Sequence, residues 1–190
     1  ADAVQKIHAR GHEVAVALVQ DRRAILEPES WRRFVHTVIE KVHPHVTTVE
    51  VGHAINRVKW GIWSLKDYRN LMEPVAGLQK RYPELHWTGP AGLDFEYPYV
   101  LGALHQLPAG VHLDALSHHL YVDRRGAPEN HQEGFSTLEK CALGRALSRA
   151  SHQCDDRFIV SEVNWPLLDT GVHSPIGSPY LWPGQKVGPP

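Results

Sequence analysis

Cysteine, long apolar runs and blocks of like charge are all scarce in this chain. Its two cysteines, Cys141 and Cys154, lie at no metal-ligand spacing and read as buried thiols. No apolar stretch approaches the roughly 20 residues of a membrane helix, and no secretory signal pattern is visible. The chain begins at Ala1 rather than Met. An N-terminal segment is therefore expected to be missing, and location stays open, with the cytoplasm slightly favoured. Twenty basic side chains face 21 acidic ones, for a net charge of −1. Without a basic cluster to neutralise phosphates, nucleic acid is excluded as the main partner. No Gly-x-Gly-x-x-Gly follows the first predicted strand, which argues against a dinucleotide fold and leaves no cofactor expected.

What is there is an ordinary globular composition, 42% hydrophobic and 22% charged over 190 residues, enough for one domain with a core. Strands and helices alternate. Apolar runs near residues 13–19, 46–52, 85–88, 111–117 and 158–161 read as buried strands. Between them, Pro28 opens a helix carrying Trp31, Phe34, Val35, Val38, Ile39 and Val42 on one face. Ser64 with Asp67, and Ser136 with Glu139, have the spacing of capping boxes. Pro74 predicts a break near Met72, and 97–107 reads as a short helix. Such alternation implies parallel strands with right-handed crossovers. Residues 1–190 are expected to form a single domain, with the Pro- and Gly-rich stretch 166–190, including Tyr180 and Trp182, as a long active-site loop.

In an α/β barrel the residues just past each strand share one rim. That rim collects Gln20, Asp21 and Arg22; then Glu50, His53, Asn56, Arg57, Lys59 and Trp60; then Asp94 and Glu96; then His118, His119, Tyr121 and Asp123; and finally Glu162, Asn164 and Trp165. Aromatic rings among carboxylates, amides and histidines suit a saccharide, with rings on the apolar sugar face and polar groups on its hydroxyls. A strand-end glutamate such as Glu162 also occurs in plain salt bridges. His43 and His45 fall on the opposite side of the domain and read as surface residues.

The stretch Phe158-Ile-Val-Ser-Glu-Val-Asn-Trp165 resembles the nucleophile strand of the (β/α)8-barrel glycoside hydrolases that keep their acid/base after strand four and their nucleophile after strand seven. Val49-Glu-Val-Gly-His-Ala-Ile-Asn56 resembles the acid/base strand, which usually ends Gly-Asn-Glu-Pro-Asn. Leu116-Ser-His-His-Leu-Tyr121 resembles the sixth strand. The resemblance covers roughly residues 1–165. It implies a TIM-type (β/α)8 barrel of which this chain holds about strands 3 to 7. It also implies a retaining mechanism with Glu162 as nucleophile, and a sugar pocket drawing on Asn56, Trp60, His118, Tyr121, Asn164 and Trp165.

The departure falls on the acid/base position, which is Ala54. Retaining glycosidases use two carboxylates about 5 Å apart, and alanine supplies none. His53, Glu50, Asp94 or Glu96 are the candidate proton donors, with His53 first, or else the substrate's leaving group needs no acid. Three functions remain open: a glycoside hydrolase, a non-catalytic saccharide-binding protein, and a metal-dependent hydrolase using His53, His118 and Glu162. Adjacent His118 and His119 on a strand point to opposite faces and do not easily serve as joint ligands, so no metal is the first expectation. A partial barrel exposes two sheet edges, so flanking strands or a partner chain are expected. Neither a nucleic acid nor a membrane is an expected partner.

Overall fold

The computed structural model describes residues 1–120 and 131–163. The elements run α1 (Asp2–His8), β1 (Ala15–Leu18), α2 (Arg22–Leu26), α3 (Pro28–Val42), β2 (Thr48–Val51), α4 (Leu65–Met72), α5 (Val75–Arg81), β3 (His86–Leu93), α6 (Tyr97–Leu104), β4 (Ala115–Leu120), α7 (Thr137–Ala150) and β5 (Phe158–Val163). The five strands are all parallel and lie in chain order, β1-β2-β3-β4-β5. They form a curled half-barrel with the helices on the convex side.

The alternation of each strand decides which side chains meet which layer. Val49, Val51 and Leu116 are fully buried on the helix side, against Trp31, Val35 and Ile39 of α3 and against Tyr68, Leu71 and Leu78 of α4 and α5. The concave face is smaller and more polar. Glu50, Thr88 and Ala115 stand in one register row, and Pro90 and Ser117 in the next. The helix ends follow local chemistry. Ser64 accepts from Asp67 N–H at 3.2 Å. Ser136 and Glu139 make the reciprocal capping box, and Pro74 separates α4 from α5. Asp21, which the sequence suggested as a polar strand end, also caps the short helix α2 by accepting from Ala24 N–H at 2.9 Å.

Three strands run further than the sequence suggested, among them β5, expected over 158–161 but continuing to Val163, so that Glu162 lies within it. The predicted third strand stopped at Gly89-Pro90, yet β3 continues to Leu93 through a register shift between Pro90 and Gly92. Ala91 there takes a left-handed φ of 53°. A bulge is where a sheet tolerates proline, whose missing N–H leaves no gap in the ladder. The fourth strand was expected over 111–117. It occupies Ala115–Leu120, so both histidines lie within it and not beyond its end. The outer strands β1 and β5 remain half covered: Ala15 and Ala17 are exposed, and Val160 and Val163 are 37% and 39% exposed.

Candidate active site

The concave face gathers its polar groups toward the C-terminal ends of β2, β4 and β5. In β4, Ser117 and His119 project onto this face while Leu116 and His118 project onto the other. In β5 the register slips by one residue opposite the step from His118 to His119. This bulge brings both Ser161 and Glu162 toward the concave side. His119 Nε2 lies 3.9 Å from Glu50 Oε1 and 4.0 Å from Glu162 Oε2. In a flat sheet β2 and β4 would stand roughly 10 Å apart, twice the strand spacing. The meeting of their side chains over β3 reflects the curl.

Glu50 is buried, at 7% exposure. Burial by itself would raise its carboxyl, but the surrounding His119, Ser161 and Ser117 outweigh it and hold the group below its ordinary value. Ser117 faces this carboxylate, although among the described residues neither Ser117 Oγ nor Glu50 Oε2 completes a hydrogen bond of normal geometry. Glu162 is more open, its side chain 35% exposed. A buried carboxylate and a half-open one therefore flank one buried imidazole.

His53 arrives from the loop after β2. Gln20, only 2% exposed, fixes that loop: its Oε1 accepts from His53 N–H at 2.9 Å, and its amide donates to His53 O at 2.9 Å and Trp60 O at 3.1 Å. The His53 ring lies 4.8 Å from that of His119 and 4.3 Å, edge-on, from that of Trp60. Burial, and then the proximity of His119, push its pKa down against the opposing pull of Glu162 and Glu50. A neutral imidazole is suited to act as a base or a ligand more than as an acid. Trp60 packs on Ala54 and Leu93. Ala54 is 2% exposed and has a left-handed φ of 43°.

Other expected site residues are placed elsewhere. His118 is fully buried on the helix side, stacked on Tyr97 at 4.9 Å and bonded through Nε2 to Asp94 O at 2.8 Å. Strand alternation separates it from the concave face, and His119 takes the place expected for it beside Glu162. Asn56 is committed to the backbone: it accepts from Leu93 N–H at 2.9 Å and donates to Leu93 O and Glu96, each at 2.8 Å. Asp94 and Glu96, the alternative acids, both pair with Arg57. Tyr121, Asn164, Trp165 and the stretch 166–190 lie outside the described residues. Among the described residues the ligand atoms of His53, His119 and Glu162 lie within 4.8 Å of one another, close enough to be considered for a metal. His119 stands beside Glu50 and Glu162 where the sequence pointed first to His118. The signal was the alternation Ser117-His118-His119, in which Leu116 and His118 share the apolar period.

No family model and no curated protein matches the sequence. Among solved structures the chain is similar to a monomeric β-xylosidase from Caulobacter crescentus CB15, at 20% identity and a TM-score of 0.46, over 68% of this chain and 29% of that one. The chain thus spans less than a third of that structure's length.

Proposed function

We propose that this chain carries the catalytic face of a glycoside hydrolase-type barrel, acting on an O-glycosidic bond of a saccharide with Glu162 as the nucleophile. The observation that carries this reading is the pairing of a half-open carboxylate, Glu162, with a buried one, Glu50, across His119. Each stands about 4 Å from the same His119 Nε2, so the two oxygens are no more than about 8 Å apart, a limit that includes the roughly 5 Å spacing of retaining enzymes. The likeness of Phe158–Trp165 and Val49–Asn56 to the nucleophile and acid/base strands supports it, and would make the five strands the third to seventh of eight. In this reading the Glu162 carboxylate attacks the anomeric carbon as the aglycone departs. His53 then takes a proton from the water that releases the sugar from Glu162. A neutral His53 and Ala54 leave no strong acid for the first step, so substrates with good leaving groups are favoured.

The test is intact-mass analysis after incubation with fluorinated glycosyl donors bearing activated leaving groups. One added sugar mapped to Glu162, and none on Glu162→Gln, is the expected result. An unlabelled folded protein across a broad donor panel would overturn the nucleophile assignment. A second reading, saccharide binding without turnover, is favoured by Ala54. It predicts that Glu162→Gln retains sugar affinity while the wild type never labels.

A further inference from the structure

His53 of the loop after β2, His119 of β4 and Glu162 of β5 come from three separate segments and close on one point of the concave face, with Glu50 of β2 beside His119. The separations there have an unusual value. His119 Nε2 stands 3.9 Å from one carboxylate oxygen and 4.0 Å from another, too far for a hydrogen bond in either direction. Two donors that each sit 2.0–2.2 Å from a tetrahedral zinc-sized ion lie about 3.3–3.6 Å apart. The three ligand atoms of His53, His119 and Glu162 span no more than 4.8 Å, so side-chain shifts of less than about 1 Å would close the set on one ion.

Burial makes the arrangement expensive unless something occupies it. His119 is 1% exposed and Glu50 7%, and among the described residues Glu50 Oε2 has no hydrogen-bond partner. A buried carboxylate with an unsatisfied oxygen carries a desolvation cost that a neighbouring cation lowers. The donor chemistry is selective. Two imidazoles with a carboxylate suit zinc and its first-row neighbours, whereas calcium and magnesium prefer all-oxygen shells. The Glu162 and Glu50 carboxylates together also cancel the charge of a divalent ion, and ligating imidazoles add none.

We propose that His53, His119 and Glu162 bind one divalent cation of the zinc class. Three protein donors leave the fourth position of a tetrahedral shell open, and the buried Glu50 carboxylate, 3.9 Å from His119 Nε2, adds negative charge beside the ion. The site stands independently of the glycosidase reading. It also meets it at one residue, because an ion on the Glu162 carboxylate occupies the oxygen that would attack a sugar. Zinc and glycosyl transfer to Glu162 therefore exclude each other.

The experiment is titration of the chelator-treated full chain with zinc sulfate by calorimetry, and with cobalt(II) followed in the visible. The expected result is one zinc per chain and the intense ligand-field bands of four-coordinate cobalt. Glu162→Gln, a half-exposed change that leaves the core intact, should weaken zinc by at least about a hundredfold, since even outer-shell partners of a ligand cost ten- to a hundredfold. His119→Ala should do the same, with circular dichroism confirming its fold. Absence of stoichiometric zinc on the folded wild type, or equal affinity in wild type and Glu162→Gln, would overturn the proposal. Zinc binding without glycosyl labelling in the metal-free sample would remove the nucleophile assignment and leave the metal site. Labelling without zinc binding would do the reverse.

Discussion

His118 and His119 are consecutive residues of β4, yet one stacks on Tyr97 at 4.9 Å beneath the helices and the other stands 3.9 Å from Glu50 on the concave face. The first is a core residue and the second belongs to the candidate site. The ionisation of His118 reports its burial. Burial pushes His118 down to about 4, with the Asp94 carbonyl opposing and the nearby His119 and Lys140 adding to the fall. The unfolded chain takes up the same proton near pH 6.5. The unfolded state therefore binds more protons between these values, and stability falls as pH drops from about 6.5 toward 4. Above that window the His118 contribution is fully present, and the loss across it is up to about 3 kcal/mol. Nuclear magnetic resonance of the native ring checks this directly: no titration of His118 until near pH 4 is expected. A native midpoint near that of free histidine would contradict the buried neutral ring.

Gln20 is the fastener of the His53 loop. Gln20→Leu keeps the volume but leaves His53 N–H and the carbonyls of His53 and Trp60 without their partner. The expected loss is about 2–4 kcal/mol, from unsatisfied groups at about 1–3 kcal/mol each, some of which solvent recovers. Urea unfolding should show a lower midpoint with an unchanged slope. A midpoint within error of wild type would mean that water replaces Gln20 at no cost.

Much of the half-barrel was legible because its signals are local. Apolar runs marked the five strands, Pro28 marked the start of α3, and Ser136 with Glu139 marked the start of α7. What sequence alone resolved poorly depends on the register between distant strands. The bulge opposite His118 and His119, and the one between Pro90 and Gly92, shift the faces of β5 and β3 by one residue, and no local period announces them. His53 was identifiable as a polar residue past a strand, whereas Glu162, expected past the strand end, lies within β5. That Asn56 would bond to Leu93 rather than face a sugar needed the loop geometry. The assignment of His118 failed for the simplest reason: the strand begins at Ala115 and not at Val111, so the expected rim residue is a mid-strand core residue.

Asn56 offers a sharper test of that loop. Asn56→Asp keeps the acceptor for Leu93 N–H but removes the donor to Leu93 O and Glu96, and sets a negative charge beside Glu96. A loss of about 1–3 kcal/mol is expected at neutral pH. Part of it should return as the medium is acidified and one of the two carboxyls is neutralised. A variant as stable as the wild type at pH 7 would place Asn56 outside this network.

Gly61 closes the same loop against the start of α2, and it separates steric cost from backbone strain. Its φ is 90°, and an added Cβ would fall on the backbone of Asp21 and Arg22, 2.7 Å from Arg22 Cα. The loop cannot retreat freely, because Gly61 O accepts from Arg22 Nη1 at 3.0 Å while the same nitrogen pairs with Asp67 at 2.8 Å. Gly11, after α1, has a φ of 82° with nothing within 4 Å of its added Cβ. Gly11→Ala therefore measures the left-handed backbone penalty alone, about 1–2 kcal/mol. Gly61→Ala carries that penalty plus displacement of the Asp21–Arg22 backbone, and is expected to lose about 3 kcal/mol or more. Because Gln20 ties this loop to His53, the larger variant should also loosen the His53–Trp60 pair, visible as a change in tryptophan fluorescence of the native state. Equal losses in the two variants would mean that the loop after β2 does not sit on Asp21 and Arg22, and that His53 is held by Gln20 alone.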